Sequence, residues 1–464
     1  MKKDVLAPLR EGKELSLGQQ FALIIRLSLP AMLAQVSMIA MQYIDSAMVG
    51  RLGAGPSASI GLVSTTTWLF GGLCTALTAG FCVQAAQHLG AGEEKRARDV
   101  MKHGLCAAAI FSALLGVLGA LLAPWLPVWL GGEESIRQGA TEYFLVFALS
   151  VPTVMFHYVA GGMLQASGNM RLPSLIYVAM CVLDVVFNAF LIFPRVELGF
   201  CTLPGFDLGV LGASLGTALS DLVAAVWMTL ALLFTSRPLR LRRGEKTAFE
   251  GQSLRRAWKI GAPVALERIV TNGAQIAVTG VIAPLGAVSI AANTFAVTAE
   301  GLGYMPAYGI ADAATAIIGQ SVGARRRDLT PRLGWLCTLL GMALMVISGL
   351  FLYFGGPAMM HFFTDDPDVA ALGIEILRIE AFAEPLFGAS IVAMGVFRGA
   401  GNTLVPSLFN FASMWGIRLP LALWLAPRLG LRGVWLAMAI ELCVRGVLFL
   451  IRLGGKRWQA ALEG

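Results

Sequence analysis

The sequence predicts an all-α polytopic membrane protein with twelve transmembrane helices in two six-helix lobes related by a parallel internal repeat. Three observations lead to this fold class. The composition is 57% hydrophobic and only 14% charged, whereas soluble domains carry about 25% charged residues. Long apolar runs recur along the 464 residues. Finally, the second half of the chain repeats landmarks of the first half.

Twelve apolar runs are long enough to cross a bilayer as helices. A helix needs about 20 apolar residues to cross a hydrocarbon layer roughly 30 Å thick. The runs are continuous rather than alternating at every second residue, and lipid cannot satisfy the hydrogen bonds of an open sheet edge, so helices are expected. The runs lie at residues 21–49, 57–88, 100–130, 141–166, 171–194, 209–235, 258–283, 291–321, 333–363, 371–397, 405–427 and 431–453.

Residues 30–175 align with residues 263–408 at a constant offset of 233 residues. SGNMRLPSL at 167–175 returns as AGNTLVPSL at 400–408, and Pro30 falls on Pro263. Each half holds six spans, an even number, so both halves start on the same side and are related by an axis along the membrane normal. The Gly-Asn segment predicts a tight turn between the fourth and fifth spans of each lobe.

These features divide the chain into five parts. We expect a cytoplasmic N-terminal segment, an N-terminal lobe, a basic cytoplasmic linker, a C-terminal lobe and a cytoplasmic tail, at 1–20, 21–235, 236–257, 258–453 and 454–464.

The basic residues predict the orientation in the membrane. Loops on the side of the N-terminus hold 25 of the 35 Lys and Arg, and the opposite loops hold about five. By the positive-inside rule, this is a multi-pass protein of the cytoplasmic (inner) membrane with both termini in the cytoplasm. The net charge of +7 therefore does not indicate a nucleic-acid partner. No signal peptide is expected to be removed.

An enzyme is not expected. The sequence contains no GxxxxGK[ST] phosphate loop, and its seven cysteines are scattered without a CxxC pair, so neither ATP hydrolysis nor a cysteine metal site is indicated. No nucleophile motif or His/Asp/Glu metal cluster appears. We expect no cofactor.

Several segments resemble the multidrug and toxic compound extrusion (MATE) family. They include YIDSAMVGRLGA (43–54), VLDVVFNAFLIF (182–193), MPAYGIADAATAIIGQSVGA (305–324) and FRGAGNTLVPS (397–407). The resemblance extends from residue 20 to 453. It implies a secondary transporter whose two lobes alternate between inward and outward openings, exporting amphipathic, mostly cationic organic compounds by antiport with H+ or Na+. The expected partners are small organic cations and the lipid bilayer, and the expected state is a monomer.

Carboxylates inside the spans are candidates for cation or proton coupling, because a charge near the bilayer centre is costly. Asp184 and Asn188 are four residues apart and share a helix face. With Asp45 they offer hard oxygens for Na+, or a carboxyl pair that holds a proton. The resemblance places the family's cation-site aspartates at Asp45 and Asp184 and adds Thr217. Many relatives have an Asn where Met180 stands, and a thioether is a poor ligand for a hard cation, so H+ is the expected coupling ion and Na+ the alternative.

Other polar residues are candidates for the substrate cleft. Carboxylates of the C-terminal lobe either pair with Arg268 and Arg418 or form an anionic wall for cationic drugs; Glu267 and Glu300 are the ones expected to face the cleft. A lone His157 is expected to be a neutral hydrogen-bonded residue, with titration as the alternative. Asp221 and Glu441 are weaker candidates. The cleft set is Gln35, His157, Glu267, Glu300, Asp312 and Arg418.

A lipid or lipid-linked oligosaccharide flippase of the same wider superfamily is the alternative function. Such a protein is expected to have a more cationic cavity for pyrophosphate and often extra spans. Twelve spans with acidic cleft candidates count against it.

Overall fold

Helices make up nearly all of the structure. It is a computed structural model that describes residues 5–197, 202–242, 244–245, 251–455 and 458. Its helices are α1 (Ala7–Arg10), α2 (Leu17–Gly50), α3 (Ala54–Gly90), α4 (Glu94–Leu122), α5 (Leu126–Trp129), α6 (Glu134–Ala166), α7 (Arg171–Ile192), α8 (Gly209–Leu230), α9 (Gly251–Ile282), α10 (Ala287–Gly323), α11 (Leu329–Phe363), α12 (Pro367–Ala381), α13 (Glu384–Gly399), α14 (Leu404–Ser413), α15 (Leu419–Leu429) and α16 (Leu431–Gly454).

A few short elements interrupt or follow these helices. π-Helical turns at Ala231–Thr235 and Met414–Arg418 extend α8 and α14, and a 3-10 turn spans Ala283–Leu285. Two strands, β1 (Arg195–Glu197) and β2 (Thr202–Pro204), pair antiparallel in the connection after α7. Of the predicted terminal segments and linker, residues 1–4, 243, 246–250, 456–457 and 459–464 lie outside the described ranges.

The helices occupy all twelve predicted spans. In the described part of the chain, nine are long and apolar enough to cross a membrane alone, and α12 with α13 passes as a tenth, bent span. At the seventh and eighth predicted spans, α9 and α10 have 32 and 37 residues but are not among these nine. The all-α polytopic fold class is confirmed.

The predicted span 371–397 is wrong in one respect, since it is not one continuous helix. It bends by 58° between α12 and α13, and Pro385 lies in the first turn of α13. A proline lacks the backbone N–H and its ring clashes with the carbonyl four residues earlier, which disfavours a straight helix through it. Its repeat counterpart, Pro152, nevertheless lies inside the unbroken α6.

Helix contacts define two compact units. The first comprises Met1–Val36, Ala86–Gly92 and Ala262–Gly464. In it, α13 packs against α10, α11 and α16, and α15 packs against α16. A methyl group at Gly395 of α13 would lie 2.3 Å from the carbonyl oxygen of Ala311 in α10. Small residues thus allow close helix approach, as is common in membrane proteins.

The second unit comprises Ser37–Ala85 and Glu93–Gly261. In it, α6 packs against α4 and α8, and α7 packs against α8. Part of the basic linker contacts α4: Arg98, whose side chain is 3% exposed, donates to Glu245 Oε1 and Oε2 at 2.6 and 2.8 Å. The predicted lobe boundaries at 236–257 stay a prediction.

The repeated Gly-Asn segment closes the same helix end in both halves. Gly168 and Gly401 have positive φ angles of 87° and 80°. The amides of Asn169 and Asn402 donate to the carbonyl five residues earlier, at 3.0 and 2.9 Å. This Schellman arrangement ends a helix with a tight reversal, as the sequence predicts.

Candidate functional site

The four residues predicted for cation or proton coupling lie together in the second unit. Asn188 Nδ2 donates to Asp45 Oδ1 at 2.8 Å and to Asp184 Oδ2 at 3.0 Å. Ser220 of α8 donates through Oγ to Asp184 Oδ1 at 3.1 Å, and Thr217 is within hydrogen-bonding reach of Asp184. We call Asp45, Asp184, Asn188 and Ser220 the carboxylate cluster. Three helices, α2, α7 and α8, contribute to it.

The carboxylate cluster is arranged to hold a proton. Asp184 and Asn188 are 0% exposed, and Asp45 is partly buried. Asp45 and Asp184 are also within hydrogen-bonding reach of each other. Two carboxyl groups can form such a bond only if one of them carries a proton, and two buried negative charges this close would repel strongly. The geometry therefore suits one proton shared by the pair.

Two further features bear on which cation fits. Asn188 Oδ1 is buried and has no hydrogen-bond partner among the described residues, so a donor or a cation could satisfy it. The side chain of Met180, one turn before Asp184, is buried and offers sulfur rather than oxygen. Sulfur does not suit Na+, which prefers oxygen ligands.

Gly216 allows α8 to approach Asn188. A methyl group at this position would lie 2.0 Å from Asn188 Oδ1 and 3.0 Å from its backbone nitrogen. Because real Cβ atoms are not found this close to their neighbours, any side chain here would displace Asn188. Glycine at 216 is therefore required for the carboxylate cluster.

His157 is not the lone histidine that the sequence suggests. Its Nδ1 lies 3.2 Å from Asp221 Oδ1, and its side chain is 2% exposed. The rings of Tyr158 and Tyr177 lie 4.5 and 5.6 Å away, centroid to centroid. The Asp221 carboxylate on α8 therefore faces His157, and neither ring nitrogen has a hydrogen-bond partner among the described residues.

In the first unit, two predicted cleft carboxylates have neutral partners. Glu267 accepts from Ser407 Oγ at 2.9 Å and from Asn410 Nδ2 at 2.8 Å. Asp312 accepts from Gln35 Nε2 at 2.9 Å. Neither bond is a pairing with arginine, so both carboxylates remain candidates for binding a cation.

A small cavity lies beside these carboxylates. Its volume of about 60 Å³ has room for roughly two waters, whereas organic ligands need several hundred Å³. Among the residues that line it are Glu267, Arg268, Asp312, Arg398, Asn410 and Arg445.

A larger apolar groove of about 570 Å³ lies at the bend between α12 and α13, next to α16. Arg378 lies 5.4 Å from the ring centre of Tyr353 there, and Phe382 is exposed. No predicted cleft residue lines this groove.

For Arg418, the structure favours pairing. Its Nε and Nη2 contact Glu441 Oε2 at 3.0 and 2.8 Å, and Arg445 Nε lies 3.2 Å from Glu441 Oε1. Glu300, expected to face the cleft, is only 7% exposed, and its place in the cleft stays a prediction. The pairing of Arg418 and Arg445 with Glu441 is explained by the cost of leaving a buried charge without a partner.

Sequence reasoning missed the neutral partners. Ser220 follows Thr217 by three residues, and Asn410 follows Ser407 by three, so each pair shares a helix face. Such polar pairs within apolar spans are the signal that could have identified them.

Comparison with known proteins agrees with this architecture. The MatE family model matches the chain twice, at residues 30–190 and 263–424. The chain belongs to the MatE family. The two matches begin 233 residues apart, which is the offset of the internal repeat. The resemblance to the MATE family is confirmed, and this MatE protein is a membrane transporter rather than an enzyme.

Individual relatives match the MatE chain from end to end. A probable multidrug resistance protein NorM of Thermotoga maritima is 26% identical over 441 residues, covering 94% of this chain and 92% of the relative. A MOP superfamily transporter of Pyrococcus furiosus matches with a TM-score of 0.89 at 21% identity, covering 100% and 99% of the two chains. The Vibrio cholerae MATE transporter VcmN matches with a TM-score of 0.86 at 19% identity, covering 99% and 98%. These structures share the fold.

Proposed function

We propose that this MatE transporter exports amphipathic organic cations in exchange for protons, by alternating access. The observation that carries the proposal is the carboxylate cluster, in which two carboxyl groups, an amide and a hydroxyl are joined by hydrogen bonds. Such a cluster can take up a proton and release it again as its surroundings change. The name of the Thermotoga maritima relative, a probable multidrug resistance protein, supports a range of organic substrates.

Protons are favoured over Na+ as the coupling ion. The cluster offers a carboxyl pair suited to one shared proton, and Met180 contributes no oxygen. If one proton enters for each monovalent cation that leaves, no net charge crosses the membrane. Each pH unit then supplies about 1.4 kcal/mol, enough for a tenfold cation gradient.

We also propose in which membrane the transporter lies and which of its residues contact the substrate. The loop distribution of Lys and Arg supports a multi-pass protein in the cytoplasmic membrane with both termini cytoplasmic, and we propose that it acts as a monomer. Gln35, Glu267 and Asp312 remain the proposed substrate contacts, because the hydrogen bonds that Glu267 and Asp312 accept come from neutral side chains.

Transport by reconstituted vesicles tests the proposal. Efflux of a fluorescent organic cation is measured under an imposed pH gradient, an imposed Na+ gradient or a membrane potential alone. We expect the pH gradient to drive efflux and Asp184→Asn to abolish it. Asp365→Asn, which changes an exposed acid, serves as the matched control and should transport normally.

Three results would contradict the proposal. Na+-driven efflux that survives Asp184→Asn would point to the carboxylates of the C-terminal half. Efflux of a monovalent cation driven by potential alone would exclude one-for-one exchange. If no gradient moves the dye, a lipid-linked oligosaccharide or lipid flippase becomes the better assignment.

A further inference from the structure

His157 and Asp221 form a buried titratable pair outside the carboxylate cluster. His157 comes from α6 and Asp221 from α8, and their side chains are 2% and 12% exposed. The histidine nitrogen and carboxylate oxygen are 3.2 Å apart, close enough for an ion pair once the imidazole is protonated, and neither ring nitrogen has a hydrogen-bond partner among the described residues. Ionisable side chains inside a membrane helix bundle cost free energy, so their presence there indicates a functional role.

The pair lies next to the carboxylate cluster along α8. Ser220 bonds to Asp184, and Asp221 is the following residue. Successive helix residues point in different directions, so α8 presents Ser220 to the cluster on α7 and Asp221 to His157 on α6. The charge of Asp221 also acts on both Asp45 and Asp184, so the two sites are electrostatically linked.

The pair also lies nearer to the predicted cytoplasmic side. His157 is nine residues before the end of α6 at Ala166, or about 14 Å of helix, and that end leads into the predicted cytoplasmic turn. Asn188, by contrast, is four residues before the opposite end of α7 at Ile192.

We propose that His157 and Asp221 form the proton-release station that follows the carboxylate cluster. The inference rests on the proposed proton antiport. Asp184 gives up its proton and becomes a carboxylate, and the imidazole of His157 takes up that proton. The resulting imidazolium pairs with the Asp221 carboxylate. It then returns to neutral imidazole by releasing the proton to water on the cytoplasmic side.

The chemistry of the surrounding groups fits this role. Imidazole is a common proton shuttle because its ring nitrogens can both accept and donate a proton. The groups facing His157 are Asp221 and the tyrosines Tyr158 and Tyr177; Asp45 and Asp184 act on Asp221 through their charges. Asp221 is thus the carboxylate that directly faces the imidazole.

The test separates proton release from folding and substrate binding. In vesicles, efflux driven by a pH gradient requires proton release, whereas exchange of labelled for unlabelled dye does not require net proton movement. We expect His157→Gln and Asp221→Asn to slow pH-driven efflux at least about tenfold while exchange stays within about twofold of wild type. His157→Gln should also flatten the dependence of efflux rate on the pH of the cytoplasmic-side compartment. The matched control is His361→Gln, an exposed histidine, which should behave as wild type.

A swap of the two residues provides a second variant. His157→Asp combined with Asp221→His retains one imidazole and one carboxylate, so we expect it to recover pH-driven efflux relative to either single change. The proposal is overturned if His157→Gln keeps the wild-type efflux rate and pH profile. It is also overturned if dye exchange falls in parallel with efflux, which would indicate a structural role. Wild-type protein that shows no pH-driven efflux would overturn the proton antiport itself.

Discussion

Replacing Gly216 with alanine tests whether the carboxylate cluster depends on Asn188. The added methyl group would lie 2.0 Å from Asn188 Oδ1, whereas ordinary van der Waals contacts begin at 3.4 Å. Asn188 must therefore move by more than an ångström. Its backbone nitrogen would be only 3.0 Å from the same methyl group, so rotation of the amide alone does not relieve the clash.

The cost follows from the bonds that this movement breaks. Asn188 donates to Asp45 and Asp184 at 2.8 and 3.0 Å, and a hydrogen bond to a charged group contributes about 1.5–3 kcal/mol. Weakening both bonds should change the proton affinity of the pair by about 2–4 kcal/mol, or roughly 30- to 1000-fold. We expect Gly216→Ala to lose most pH-driven efflux of a fluorescent organic cation.

Gly212→Ala is the matched control for packing. Gly212 lies one turn earlier on α8, and a methyl group there would lie 2.4 Å from the carbonyl oxygen of Leu191 in α7. The control thus also strains the contact between α7 and α8 but does not touch Asn188. Thermal unfolding in detergent allows both variants to be compared at known stability. Normal pH-driven efflux by Gly216→Ala, or equal loss in Gly212→Ala at similar stability, would refute the reasoning.

Two further predictions concern ion pairs. Glu441→Gln removes the charge that faces both Arg418 and Arg445, so we expect a loss of about 3–5 kcal/mol in unfolding free energy; Glu375→Gln, whose pair with Arg432 is 46% and 57% exposed, should cost less than about 1 kcal/mol. A small effect of Glu441→Gln in denaturant unfolding would contradict this. The guanidinium of Arg98 lowers the pKa of Glu245 below its ordinary value of 4.5, so this contact stabilises the linker above that pH and is lost as pH falls through the lowered value. In the wild type, hydrogen exchange of residues 237–242 should therefore become faster only below about pH 4.5. In Glu245→Gln, it should be faster than in the wild type already at neutral pH. Identical exchange profiles in the two proteins would show that the pair does not hold the linker.

The fold could be predicted from sequence because the bilayer imposes a length and a hydrogen-bonding rule on every span. Those constraints are local, so the twelve apolar runs coincide with helices in the described part of the chain. The bend at Pro385 could not be predicted in the same way. Its counterpart Pro152 stays inside an unbroken helix, which shows that proline alone does not decide the break.

The candidate site was predictable only in part. Asp45, Asp184 and Asn188 stand out because charged and amide groups are rare inside apolar spans. The pairing of His157 with Asp221 could not be read from the sequence, because it depends on how α6 and α8 rotate toward each other. The burial of Glu300 could not be predicted for the same reason, because a carboxylate in a span has the same sequence pattern whether it is buried or exposed.

The repeat preserved the scaffold of the two halves but not their chemistry. Pro30 and Pro263 remain equivalent, and both Gly-Asn turns have the same hydrogen bonds. In contrast, the repeat counterpart of Asp45 is Val278, and that of Glu267 is Ala34. A second carboxylate pair equivalent to Asp45 and Asp184 therefore cannot form in the C-terminal half. If this pair alone couples transport, as we propose, one proton is exchanged in each cycle, and the export of a monovalent cation should be insensitive to membrane potential.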